Sequence, residues 1–147
     1  MLLDERWGGQ EQVVDGHAYR LADLPGFIAS IDGERVGYAA LRIIDDVAEI
    51  GLIDAIRPRV GVGSALVHAL DDAARSRGLR RLRAVTTNDN GGAQAFYEAL
   101  GFRLVGVREG AVTRSRAIKP TIPLVADDGT PITDEWIYER PIGRPIA

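Results

Sequence analysis

Cysteine is absent from this 147-residue chain. That excludes disulfides, thiolate metal sites and a cysteine nucleophile. Histidine occurs only at His17 and His68, which are far apart and lack metal-ligand spacing, so each reads as a surface or satisfied residue. No apolar run is long enough to span a bilayer, and Met1 to Gln10 carries charge where a leader needs an apolar core. The net charge of −3 lacks the basic excess of a nucleic-acid binder. With 46% apolar and 27% charged residues, the expectation is one globular, cytoplasmic domain over 1–147 that binds neither membrane nor nucleic acid.

Two nucleotide-binding signatures are missing as well. A P-loop needs Gly-Lys, and that dipeptide does not occur. A dinucleotide fingerprint needs a third glycine where Leu66 stands, and an acid near Arg81 to Val85, where there is none. What remains is Arg57 to Leu66, R-P-R-V-G-V-G-S-A-L, at the end of an apolar run and the start of an amphipathic helix. Glycine allows the tight turn and the close approach of a ligand to the backbone. The first helical N–H groups have no intrahelical acceptor and favour an anion. Arg57 and Arg59 add charge beside the turn. The segment suits a phosphorylated cofactor, or else a helix start that needs glycine for packing.

Periodicity supplies the elements. Gln12 to Val14 is a short strand. Phe27 to Ile31 and Arg35 to Ile43 are strands joined by the hairpin turn Asp32-Gly33. After Asp45-Asp46, Val47 to Ile53 is apolar on both faces and belongs at the centre of a sheet. Ser64 to Arg77 is a helix with Ala65, Leu66, Ala69, Leu70 and Ala73 as its apolar stripe, Asp71 opposite, and Gly78 as its stop. Leu82 to Thr87, Phe102 to Val107 and Trp136 to Arg140 are strands. Ala93 to Leu100 is a short helix with Phe96 and Leu100 on its core side. Residues 109–135 read as an irregular loop region with three prolines. The cluster Arg75 to Arg83, and Arg114, Arg116 and Lys119, form either a solvated surface or a rim for a polyanion.

The segment Thr87 to Phe102, T-N-D-N-G-G-A-Q-A-F-Y-E-A-L-G-F, changes the weighing. Taken with A-E-I at 48–50, R-V-G-V-G-S-A-L at 59–66 and R-G-L-R-R-L at 77–82, it resembles the GCN5-related N-acetyltransferase (GNAT) family over Ile31 to about Val107. The resemblance implies an α/β (α+β) fold. Its central sheet is mixed but mostly antiparallel, its central strands splay, and helices lie on both faces. Acetyl-CoA is the implied co-substrate, with no metal.

By that resemblance, backbone amides of Val60, Gly61, Val62, Gly63, Ser64 and Ala65 hold the pyrophosphate, and Arg59 belongs to the same cofactor site. The strand end at Ile53, Asp54 and Ala55 pairs with the pantetheine arm like an added strand and stabilises the oxyanion. Asn90 lies beside that arm, caps a helix, or does both. Tyr97 matches the family tyrosine that protonates the leaving thiolate. Glu49 interrupts an apolar strand with no obvious cation nearby, so a raised pKa suits it as the base, directly or through water. Its alternative is a carboxylate tied to an arginine. Asp54 is the second choice of base.

The chain departs from the family pattern at Pro58, where Gln or Arg is usual, and in having almost no N-terminal helices, only Ala18 to Pro25 being available. The expected activity is acetyl transfer to a primary amine, small-molecule or peptide, by direct attack in a ternary complex. The alternatives are a CoA-binding regulatory module with little turnover, or an interaction domain without a cofactor. A homodimer is implied by family likeness alone.

Overall fold

In the computed structural model, residues 11–14, 16–20, 24, 26–54 and 61–143 are described. A hairpin of β1 (Glu11–Val14) and β2 (His17–Arg20) stands apart from a six-stranded sheet. The sheet is built from β3 (Gly26–Ile31), β4 (Glu34–Ile44), β5 (Val47–Asp54), β6 (Arg81–Thr87), β7 (Arg103–Arg108) and β8 (Glu135–Pro141) in the order β3-β4-β5-β6-β8-β7. Among the described residues three helices punctuate it: α1 (Val62–Ser76), α2 (Gly91–Ala99) and α3 (Ala111–Arg116).

Local chemistry explains the first meander. Asp32 and Gly33 have φ of 51° and 79°, so both central residues of the β3–β4 turn are left-handed and match the strand twist. Asp45, at φ 55°, turns β4 into β5. Among the described strands only β5 and β6 pair in parallel, and α1 is the crossover that a parallel pair requires. The last strand, β8, fills the slot between β6 and β7, antiparallel to both. Charge pairs support that register: Arg83 and Arg81 meet Glu139 at 2.8 and 3.3 Å, and Arg108 meets Glu135 at 3.1 Å.

One core cluster joins α1, α2 and one face of the sheet. It contains Leu41, Ile50, Leu66, Val67, Leu70, Leu82, Tyr97, Leu100 and Tyr138. A smaller cluster of Ala40, Leu24, Tyr38 and Leu52 lies across the sheet. The buried stripe of α1 is Val62, Leu66, Val67, Leu70, Asp71 and Ala74, rotated from the expected alanine stripe. Asp71 is inside because its carboxylate accepts the Gly143 N–H at 3.2 Å, just past β8.

Three other expectations give way. Of the stretch Ala18 to Pro25, residues 18–20 are strand rather than helix, because they pair with β1. Residues 109–135 are not wholly irregular: α3 lies within them, with Ala111, Val112 and Ser115 buried. Arginine side chains hold the rest of this segment. Arg116 donates to the carbonyls of Ile122, Pro123 and Ile132, which gives this part of the basic cluster a structural task.

Gly37 on β4 faces α1 at close range. A Cβ there would lie 2.9 Å from both Leu66 Cδ1 and Val62 Cγ1. Gly37→Val is therefore expected to push α1 off the sheet and cost about 1–3 kcal/mol, the usual range for overpacking. Urea unfolding checks this; an unchanged midpoint would show that the contact is soft.

Candidate functional site

The site begins where sheet pairing stops. β5 and β6 share three registered pairs, ending at Glu49↔Arg83, yet β5 runs on to Asp54 and β6 to Thr87. A bulge helps to separate them: Leu41 pairs with Ile50 and Ala40 with Leu52, leaving Gly51 as the extra residue. The strands splay, as the family resemblance implied. Between them lies a cleft of about 380 Å³, lined by Ile50 to Ile53, Val85 and Thr86, and by Gly63, Asn90, Ala93, Phe96 and Tyr97 from the helices.

One end of the cleft meets the start of α1. Gly61 caps the helix in a left-handed conformation, φ 91°, that disfavours side chains, and its carbonyl accepts from Ala65 N at 2.9 Å. The N–H groups of Val62, Gly63 and Ser64 precede that first helical bond. Among the described residues no side chain caps them, and no acid sits in the first turn. This arrangement fits a pyrophosphate. Gly63 also has a packing reason: a Cβ would lie 2.8 Å from the Phe96 ring. Val62 is turned into the core, Ser64 is half-buried and Ala65 is exposed. Ala55, Arg59 and Val60 lie outside the described residues, as do Arg57 and Pro58. Ile53 lines the cleft, whereas Asp54 closes β5 opposite Tyr38.

Of the two readings made of Asn90, the helix cap is observed. Its side chain accepts from Ala93 N at 3.1 Å as the cap of α2, and it lines the cleft. The roles expected of Phe96 and Tyr97 are partly reversed. Tyr97 is the buried residue, packed 5.2 Å from the Phe102 ring, and Phe96 is only partly covered. Tyr97 nonetheless reaches the cleft. Burial pushes its phenol up to about 12, so it holds its proton at neutral pH.

Glu49 departs further from expectation. The bulge changes side-chain parity, so Ile53 joins the main core while Glu49 and Leu52 point to the opposite face. Glu49 is only 1% exposed, and it has a cation: Arg42 Nη1 lies 3.2 Å from its Oε2. A β4–β5 turn centred on Asp45-Asp46 places residues 42 and 49 opposite each other, so the hairpin itself carried that signal. Burial raises the Glu49 pKa, opposed by Arg42 first and then by Arg108 and Arg83. Among the described residues, its Oε1 is buried with no hydrogen-bond partner. Glu49 and Tyr97 therefore do not line one cavity; they lie on the two faces of the opening.

A second hollow, about 210 Å³, escaped the sequence reading. Thr87, Ser115, Lys119 and Glu135 line it with Val13, Val112 and Ile122. Asn88 fixes its rim by accepting the N–H groups of Thr133 and Asp134 at 3.0 Å and donating to the Pro131 carbonyl at 2.9 Å. Successive residues of β6 thus serve opposite faces, Thr86 the cleft and Thr87 the hollow. Among the described residues no helix is long and apolar enough to cross a membrane.

Comparison with known proteins agrees with this geometry. Residues 3–102 match the acetyltransferase (GNAT) family. The chain is 35% identical over 139 residues to the uncharacterised protein YxbD of Bacillus subtilis strain 168, covering 94% of this chain and 87% of YxbD. The ribosomal-protein-S18-alanine N-acetyltransferase of Escherichia coli aligns with a TM-score of 0.61 at 26% identity, over 83% of this chain and 71% of that one. A GNAT family acetyltransferase from Elizabethkingia anophelis with acetyl-CoA bound aligns with a TM-score of 0.69 at 22% identity, over 82% and 78% of the two chains.

The raised pKa of Glu49 sets a stability test. A carboxyl whose pKa is higher in the folded state adds stability below its ordinary titration range, and that contribution is lost as pH rises through the folded value. Measured against Glu49→Gln, which cannot ionise, the natural protein should lose stability as pH climbs from about 4. Urea unfolding at acid and neutral pH reads the difference; the opposite slope would mean that the arginines outweigh desolvation.

Proposed function

Because the chain belongs to the acetyltransferase (GNAT) family, we propose that it transfers an acetyl group from acetyl-CoA to a primary amine within one ternary complex. The observation that carries this reading is the cleft at the β5–β6 splay, with the open start of α1 at one end and Tyr97 in its wall. Acetyl-CoA, when bound, supplies an activated acyl carbon and a thiolate leaving group. The chain does the rest. Amides of Val62 to Ser64 take the pyrophosphate, while the outer half of β5 pairs with the pantetheine arm as an added strand beside Asn90.

An ammonium has no lone pair, so the acceptor must first lose a proton. Glu49 takes it, directly or through water, using the oxygen that Arg42 leaves uncommitted. Its place across the opening from Tyr97 supports entry of the acceptor from the face opposite α1 and α2. Tyr97 still carries its proton at neutral pH and donates it to the departing sulfur. A second reading, a CoA-binding regulatory module, draws on the Arg42 contact, since a paired carboxylate is a weaker base.

Thermal unfolding decides whether the cofactor is right. Acetyl-CoA at a hundred times its Kd should add about 2.7 kcal/mol of stability. No stabilisation by acetyl-CoA or CoA would overturn both readings. Turnover then separates them. Tyr97→Phe is expected to lower kcat by about a hundredfold or more while leaving the acetyl-CoA affinity in place. Arg42→Met removes the charge that most lowers the Glu49 pKa, so the acid limb of kcat/KM should move to higher pH. An unmoved limb would remove Glu49 from the role of base.

A further inference from the structure

Resting on the transfer reading above, we propose that the acceptor is a free amino acid with an apolar side chain, received in the hollow beside Thr87. Position comes first. The hollow and the cofactor cleft flank one strand, reached by Thr87 and Thr86 respectively. Arg108 links the hollow to the base: it binds Glu135 at 3.1 Å, and its charge acts on Glu49. An amine held at the Thr87 side therefore approaches the opening from the face on which Glu49 lies.

The lining gives the chemistry. One ammonium, Lys119, and one carboxylate, Glu135, share the hollow with the Thr87 hydroxyl, with Ser115, whose hydroxyl accepts the Gly16 N–H at 3.1 Å, and with an apolar wall of Val13, Val112 and Ile122. A zwitterion matches that set, with its carboxylate toward Lys119, its amine toward Glu135 and Thr87, and its side chain against the wall. Size agrees. About 210 Å³ falls below the roughly 300–1,000 Å³ of pockets for drug-sized ligands. In the reaction one ammonium proton passes to Glu49. The nitrogen then forms the N–C bond as the C–S bond breaks. The sulfur takes a proton from Tyr97, which regains one from the acylated nitrogen. The products are an N-acetyl amino acid, CoA as its thiol and one proton in solution.

The test is thiol release from acetyl-CoA by the full chain with leucine, leucinamide, isopentylamine, spermidine and a short peptide as acceptors. Leucine is expected to exceed leucinamide and isopentylamine by about tenfold or more in kcat/KM, the scale of one charge-assisted contact. Lys119→Met should collapse that preference through KM, with acetyl-CoA affinity kept. Ile122→Trp, which fills the wall, should shift preference from leucine to alanine. Equal use of leucine and its amide, or preference for spermidine or the peptide, overturns the proposal. So does acetyl-CoA binding with no release to leucine. Absence of acetyl-CoA stabilisation overturns the transfer reading itself, and so separates the two failures.

Discussion

Everything in this protein turns on the place where β5 and β6 stop pairing. Three parallel pairs hold the middle of the sheet together, and the fourth is never made. Two strands that part inside a sheet would normally cost stability, because backbone groups need partners. Here the separation is prepared from several sides. The extra residue at Gly51 bends one strand. The missing side chain at Gly37 lets α1 lie close against the sheet. Asn88 ties the end of the other strand to the segment before β8. The cleft is a feature of the backbone first and of side chains second.

A row of charge crosses the sheet at the same level. Register aligns Arg42, Glu49, Arg83, Glu139 and Arg103 across β4, β5, β6, β8 and β7, alternating in sign. The row lies on the face away from α1 and α2, where an apolar row would have asked for a second layer of helices. Its most buried member is Glu49, where desolvation outweighs the neighbouring cations. Buried ion pairs are poor sources of stability. Their presence beside the opening is better explained by a carboxyl whose proton affinity is set by its surroundings.

Much of this was legible beforehand. The meander, α1 and the central strand followed from periodicity and from the turns at Asp32-Gly33 and Asp45-Asp46, because those signals are local. The glycine start of α1 was legible for the same reason. What failed was non-local. A one-residue bulge leaves no mark in an apolar run, so strict alternation along Val47 to Ile53 would put Glu49 and Ile53 on one face, whereas they occupy two. In a nine-residue helix with core on one side and cleft on another, Phe96 and Tyr97 both had a claim to the interior, and contact with Phe102 and Tyr138 favoured Tyr97. The hollow at Thr87 draws on β1, β6, α3 and the start of β8, and no window of sequence contains it.

The slot taken by β8 has a consequence for how the molecule comes into being. Ribosomes deliver β6 and β7 before β8, yet β8 must stand between them. Until residues 135–141 emerge, both earlier strands have open edges, the Arg83 and Arg108 guanidiniums lack their Glu139 and Glu135 partners, and Asn88 has no segment to tie. The β3–β5 meander, by contrast, can close from neighbours in sequence. Contacts so distant along the chain form slowly. The half of the sheet that shapes the hollow is thus the last to be assembled, and the nascent chain passes through an interval in which an apolar strand, with Leu104, Val105 and Val107 exposed even in the finished protein, offers an open edge to whatever is nearby.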